Sequence, residues 1–371
     1  MDTSKIIFIG NFVSEEESLL DYRVSQAGNN FQIKLIHILS PDLVIKLVPI
    51  FFEFKKIIKN PEANHIQIIS KSFFKGRLNY YYRFVFDTLK AIHKICQSKI
   101  RNVFFYNIDK QNFAIILYLF FLTRRKIFII VADHSAFKKK SLFEKICIFL
   151  LKNVTGLIVL NSNIKINPVQ ITIAGLVEEK EILLNNNYPL NNNVLLSGSL
   201  GKTTGFELTL KTFAKRSDLN LFITGNPYKY STIEFQEIIN NYCSKCPNIK
   251  YLGLLTKDQY LDILNVCDIA LSLRNPEDLE HQYNFPSKIL EYLAKSKFVI
   301  STLEYNDLPQ KIIFYSNFDS VALSETLDKI IHLDGAQIMK LRQEANEYLL
   351  KNFTEKHVYL QISQFILKSY A

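Results

Sequence analysis

A chain of 371 residues, 48% hydrophobic and 22% charged, carries enough apolar side chain for two packed domains of roughly 150–200 residues each, which excludes a disordered polymer. Its net charge of +10 is uneven: residues 1–190 hold 26 Lys/Arg against 15 Asp/Glu, and residues 191–371 hold 19 against 20. A basic half can meet a nucleic acid, an anionic membrane surface or a phosphorylated substrate; no nucleic-acid-binding motif accompanies the charge, so nucleic acid is not an expected partner.

Met1–Lys5 runs straight into Ile6-Ile7-Phe8-Ile9-Gly10, too short for a secretory core and suited to a first buried strand. Further strands are predicted at Gln32–Ile36 (or a helix), His65–Ile69, Val103–Tyr106, Lys126–Val131, Gly156–Leu160 and Gln170–Ile173. Between them Tyr80–Gln97, Gln111–Leu122 and Lys139–Asn153 read as helices, and this alternation means βαβ units and a parallel sheet. Phe113–Leu122 is the longest uninterrupted apolar run, about half of the roughly 20 residues a bilayer span takes. Leu176–Asn193, with Asn185-Asn186-Asn187-Tyr188-Pro189, reads as a linker.

The alternation then restarts. Strands are expected at Val194–Ser197, Leu219–Thr224, Ile249–Tyr251, Ile269–Leu273 and Phe298–Thr302. Helices are expected at Phe206–Lys215, Ser231–Cys243, from the capping box Thr256…Gln259 to Val266, at Ser287–Ala294 and at Glu355–Lys368. The fold class expected is α/β with two doubly wound domains, 1–188 and 189–354, and a helix 355–371 that can pack back on the first. Ligands of such sheets bind at the carboxyl ends of strands, and two facing sheets offer a cleft. The five cysteines have no framework spacing and read as reduced thiols, with Cys243–Cys246 a lone CxxC that points to neither zinc nor redox chemistry. A cytoplasmic protein is expected.

The richest segment is Asn284-Phe285-Pro286-Ser287-Lys288-Ile289-Leu290-Glu291-Tyr292, leading into Phe298-Val299-Ile300. Pro286 presets a turn, Ser287 can cap a helix, and the free N–H groups of a helix start hold a diphosphate. Lys288 adds charge there, and Glu291, one turn on, can accept hydrogen bonds from a ribose diol. An ordinary capped helix with a surface Lys and Glu would share this pattern.

The run Pro-Ser-Lys-x-x-Glu-Tyr-Leu-Ala before a Val-Ile strand resembles the donor-site segment of GT-B glycosyltransferases, in particular the retaining glycosyltransferase family four. Ile249–Gly253, Tyr260–Leu264, Cys267-Asp268-Ile269-Ala270-Leu271, Leu195–Leu200 and Ile223–Asn226 follow the family's order of segments, and the resemblance covers residues 194–302. It implies that Glu291 binds the donor ribose and Ser287 with Lys288 the diphosphate. Gly198 and Gly225 would admit the nucleotide, Leu254 and its neighbours would flank the base, and Lys202 would stand in for a family lysine. Asn284 and Phe285 would line the same donor site. Tyr283 stands where the family places an acidic residue.

In the first half, Ile127–Ala132 ends in Asp133-His134-Ser135, a polar triplet at a strand end. His134 resembles the family histidine that touches the donor sugar, and Asp133 could serve as a base in an inverting enzyme. A capping Asp and a structural His would look the same. Gly10 is a further donor-side candidate, since glycine admits phosphate or sugar, and Ala27–Gln32 resembles the acceptor-side helix start. Lys138–Lys140 running into Ile146–Leu151, with Arg124-Arg125-Lys126, suggests a basic, apolar rim for an anionic membrane; a half-buried helix with a solvated basic start is the alternative. Gly201-Lys202-Thr203 is no P-loop, because Leu196 stands where a Walker motif needs glycine.

The expected activity is transfer of a sugar from a nucleoside diphosphate sugar to a carbohydrate or lipid-linked acceptor, retaining, without metal or further cofactor, in bacterial surface polysaccharide or lipopolysaccharide synthesis. Two rivals stay open: a GT-B sugar-nucleotide epimerase, and a degenerate transferase that binds without turnover, which Tyr283 favours.

Overall fold

The strand Ile6–Gly10 (β1) is buried at every position, as a strand covered on both faces must be. The structure, a computed structural model, describes residues 5–13, 26–47, 66–68, 76–132, 141–183, 189–278 and 287–370. After β1 come helix α1 (Gln26–Leu39), strands β2 (Leu43–Lys46) and β3 (Ile66–Ile68), and helix α2 (Gly76–Gln97). Then β4 (Asn102–Tyr106), α3 (Phe113–Leu122), β5 (Lys126–Val131), α4 (Leu142–Asn153), β6 (Gly156–Val159) and β7 (Gln170–Thr172) complete a seven-stranded sheet of order β3-β2-β1-β4-β5-β6-β7. All its pairings are parallel. Gln32–Ile36, open between strand and helix from sequence, is helical, with buried Asn29 and Gln32 facing β1. The short β2 was not expected at all.

The second sheet takes β8 (Asn193–Leu200), β9 (Asn220–Pro227), β10 (Ile249–Tyr251), β11 (Ile269–Ser272), β12 (Phe298–Ser301) and β13 (Ile313–Tyr315), in the order β10-β9-β8-β11-β12-β13, again all parallel. Its helices are α5 (Phe206–Phe213), α6 (Thr232–Lys245), α7 (Lys257–Val266), α8 (Ser287–Ala294), α9 (Ser320–Ile331) and α10 (Gly335–Asn352). The Thr256–Gln259 capping box opens α7 as the sequence predicts. A last helix, α11 (Glu355–Lys368), packs beside α1, with Val358, Ile362 and Phe365 in the core of the first sheet.

The chain divides into two units, Met1–Leu176 with Glu355–Ala371, and Val177–Thr354. Residues 177–183 go with the second unit because Leu183 is tied there three ways. Its N–H donates to Ala294 O, and its carbonyl accepts from Ser296 Oγ and Asn346 Nδ2. No described helix is long and apolar enough to cross a membrane.

A buried ion pair anchors the amino-terminal edge of the second sheet. Arg342 on α10 and Asp268, just before β11, are each 2% exposed and meet at 3.0 Å. Asp268 also accepts the Asn191 N–H at 2.7 Å, and Arg342 donates to Ser296 O at 3.1 Å. Removing one partner strands the other charge in a dry site. Arg342→Met should therefore cost about 3–5 kcal/mol in urea unfolding, and Arg342→Met with Asp268→Asn should recover most of it. Equal losses in the single and double variants would show that the pair is not the anchor.

Candidate functional site

In each sheet the strand order reverses at one place, and there the carboxyl ends of two neighbouring strands open a crevice. In the second sheet this switch point lies between β8 and β11. β8 reaches it as Ser197-Gly198-Ser199, paired in register with Thr224-Gly225-Asn226 of β9. Gly198 has φ 115° and Gly225 φ 134°, a region that side chains rarely enter. A Cβ on Gly225 would overlap the Gly198 carbonyl, and one on Gly198 would stand in van der Waals contact with Lys288 Cε at 3.4 Å. Gly225 is thus fixed by space and backbone conformation, and Gly198 by its positive φ.

Lys288, in the first turn of α8, reaches back over this crossing. Its Nζ donates to Ser197 Oγ at 2.5 Å and lies 4.9 Å from the centre of the Tyr260 ring. Ser197 Oγ also shares a hydrogen bond of 2.8 Å with the hydroxyl of the fully buried Tyr292. Burial lowers the Lys288 pKa, helped by the charge of Arg274 and opposed by that of Glu291. Among the described residues the amine forms no ion pair; it sits where α8 begins, and a helix start favours anions. The Tyr260 hydroxyl is buried without a hydrogen-bond partner, although Ser197 and Glu291 adjoin it. Burial first, then Tyr292 and Glu291, push its pKa up, so it stays a neutral phenol.

The structure thus brings Gly198, Gly225, Lys288 and Glu291 to one strand-end cluster. Ser287 is the exposed first residue of α8. Leu254 is exposed on a loop joined to β9 by Gly225 N–H donating to Gly253 O at 3.0 Å. Lys202 goes elsewhere: its Nζ lies 3.5 Å from Glu234 and 5.4 Å from the Tyr230 ring. Asp133, His134, Tyr283, Asn284 and Phe285 lie outside the described residues. Sequence reasoning passed over Ser197, Tyr260, Tyr292 and Arg274 as site residues. Of these only Arg274 carried a signal, a lone cation directly after a buried strand.

The first sheet switches between β1 and β4. Gly10 ends β1, and a Cβ there would run into Gln32 Oε1. That oxygen and Asn11 Oδ1 are buried without partners, and Asn11 Nδ2 donates to Asp109 in the loop after β4. Asp109 Oδ1 accepts from the N–H groups of Gln111 at 2.8 Å and Asn112 at 2.9 Å. Burial outweighs these bonds and raises the Asp109 pKa to about 6. The sequence signal for Asp109, a polar run Asn107–Asn112 straight after a buried strand, was present and unused.

A raised carboxyl pKa means that the folded state binds the proton more tightly. The stabilisation is complete below the unfolded pKa and is lost as pH rises through about 6. Relative to Asp109→Asn, the parent should lose on the order of 2–3 kcal/mol of unfolding free energy from about pH 4 to about pH 7. A constant difference between the two proteins across that window would refute the assignment.

No protein-family model and no curated protein matches the sequence. Solved structures do match over the whole chain. The sucrose-phosphate synthase of Thermosynechococcus elongatus is 12% identical, with 99% of both chains covered and a TM-score of 0.73. The N-terminal domain of Candida albicans trehalose-6-phosphate phosphatase is 13% identical, covering 99% of this chain and 97% of that one, with a TM-score of 0.72. Anabaena HepE, solved in complex with UDP, is 13% identical over 98% of this chain and 100% of its own, with a TM-score of 0.69. The fold of this chain is that of the GT-B glycosyltransferases, two doubly wound α/β units in sequence.

Proposed function

We propose that the protein is a glycosyltransferase that takes a sugar from a nucleoside diphosphate sugar and passes it to a carbohydrate or lipid-linked acceptor. The observation that carries this reading is Lys288: a cation with no ion pair among the described residues, in the first turn of a helix, over a glycine-lined switch point in a GT-B fold. A diphosphate there would meet the Lys288 ammonium, the N–H groups at the start of α8 and the nearby charge of Arg274. Those groups stabilise the charge that builds on the leaving diphosphate. In a retaining reaction the leaving phosphate takes the acceptor's proton, and neither an enzymic nucleophile nor a metal is needed. Glu291 accepts from the ribose hydroxyls, and Leu254 flanks the base. Gly10, Lys202, Tyr283, Asn284 and Phe285 are assigned to the donor side and Asp133 and His134 to catalysis by the family resemblance. HepE has been solved with UDP and with UDP-glucose, which supports a donor of this class. Surface polysaccharide or lipopolysaccharide assembly on the cytoplasmic side of a membrane is the setting proposed.

Glu291→Ala and Lys288→Met should each weaken nucleoside diphosphate binding about 10- to 100-fold in calorimetric titration. Unchanged affinity in Glu291→Ala would remove the ribose assignment. Donor binding with neither transfer nor hydrolysis would make the protein a binding subunit.

A pH series gives a separate check. Because burial holds the Lys288 pKa below that of an ordinary lysine, the amine gives up its proton earlier as pH rises. Affinity for a nucleoside diphosphate should fall at a lower pH than an ordinary lysine would set in the parent and stay uniformly weak in Lys288→Met. An identical slope in both proteins would place the titrating group elsewhere.

A further inference from the structure

The outer helical layer of the first unit has an unusual surface. The connections β3 to β4, β4 to β5 and β5 to β6 all run the same way along the sheet, so right-handed crossovers put α2, α3 and α4 on one face. Contacts confirm the layer: α2 touches α3, Phe113 of α3 packs on Phe143 of α4 at 4.8 Å, and Phe120 meets Phe149 at 6.0 Å. The opposite face carries α1 and α11.

The side of this layer turned away from the sheet is apolar. All ten residues of α3 are apolar; Ile115, Ile116 and Leu119 face the core, while Phe121 and Leu122 are 64% and 71% exposed. A helix apolar all round belongs in a core or against lipid. Val85, Phe86 and Leu89 on α2 and Leu142 and Phe149 on α4 are exposed beside it. Lys90, Lys94, Arg124, Lys145 and Lys152 are exposed on or next to the same three helices.

The acidic residues are turned the other way. In the described residues from 76 to 153 the sequence has only Asp87, Asp109 and Glu144. Asp87 is buried. Asp109 is held by backbone N–H groups and Asn11. Glu144 is buried and closes the capping box of α4, accepting from the Ser141 N–H and hydroxyl. The face thus exposes apolar side chains interspersed with cations, with no exposed carboxylate among the described residues.

We propose that the face formed by α2, α3 and α4 docks on an anionic lipid bilayer. Its aliphatic and aromatic side chains enter the interface while the lysines and Arg124 meet the head groups. A second copy presenting the same face would set cations against cations. A nucleic acid would leave Leu89, Leu122 and Leu142 in water. This inference does not depend on the transferase reading.

Flotation of the full chain with vesicles tests it. The protein should float with vesicles of equimolar phosphatidylglycerol and phosphatidylcholine, and much less with phosphatidylcholine alone or at high salt. Lys145→Glu with Lys152→Glu should weaken binding on the order of 10- to 100-fold. Phe121→Glu with Leu122→Glu, which removes apolar contact without altering the core, should lower it at least as much. Circular dichroism and the urea-unfolding midpoint, unchanged in both variants, would show that they fold. Flotation that neither pair alters, equal binding to both vesicle types, or no binding would each overturn the proposal. Self-association lost in Phe121→Glu with Leu122→Glu, without vesicle binding, would assign the face to a second copy and overturn it too.

Discussion

The close crossing of β8, β9 and the Lys288 side chain is the constraint on which the second unit turns. Two strands of eight residues run in register to a place where both backbones take positive φ, and no side chain fits between them. The lysine stem passes beside Gly198 and brings the ammonium to Ser197 and the face of Tyr260. Among the described residues, the groups that hold the amine, Ser197 and Tyr260, are neutral. Had one been a carboxylate, the cation would be satisfied internally and useless to a ligand. Glu291 stands close enough to favour the charged amine electrostatically, yet the lysine hydrogen-bonds to serine instead. A cation held by neutral groups in a buried place carries a desolvation cost, recorded in its lowered pKa, that an incoming anion can offset.

The opposite end of the same sheet solves the reverse problem. Arg342 and Asp268 neutralise one another in the interior, and each satisfies a backbone group as well. That arrangement fixes the base of β11 and the segment entering β8, so the strands whose far ends form the site begin from a common anchor. The first unit builds its switch point differently, from carboxamides and one carboxyl whose pKa burial raises to about 6. A charged crevice suits a phosphate, and a crevice of unpartnered carbonyl oxygens suits hydroxyl donors.

Much of this was legible in the sequence because long apolar runs between turn residues leave few options. β1, β4, β5, β10 and α8 stand within a residue or so of where alternation and capping predicted them. β2, β13, α9 and α10 were missed: the two strands are only four and three residues long, and the two helices lie beyond the segments that carried motifs. Lys288, Glu291 and both glycines could be singled out by residue type alone. Ser197, Tyr260 and Tyr292 could not, since a serine and two tyrosines acquire meaning only when parallel strand order brings residues about 30 and 95 positions apart together. Asp268 was noticed as part of a motif, but its partner Arg342 lies 74 residues away on a helix that the sequence did not reveal.

The charge asymmetry illustrates what a sequence count leaves unresolved. An excess of lysine and arginine is equally compatible with solubility and with docking, because a count has no geometry. Solubility is served by mixed signs spread over a polar surface. In the layer α2–α4 the cations stay exposed, the carboxylates are used within the fold, and exposed apolar residues stand on the same helices as the cations. Such segregation has a cost, since exposed apolar area of this kind promotes association in water. A surface that keeps exposed apolar side chains together with cations of a single sign is organised for a partner that is itself apolar beneath an anionic skin, and a charged bilayer has that structure.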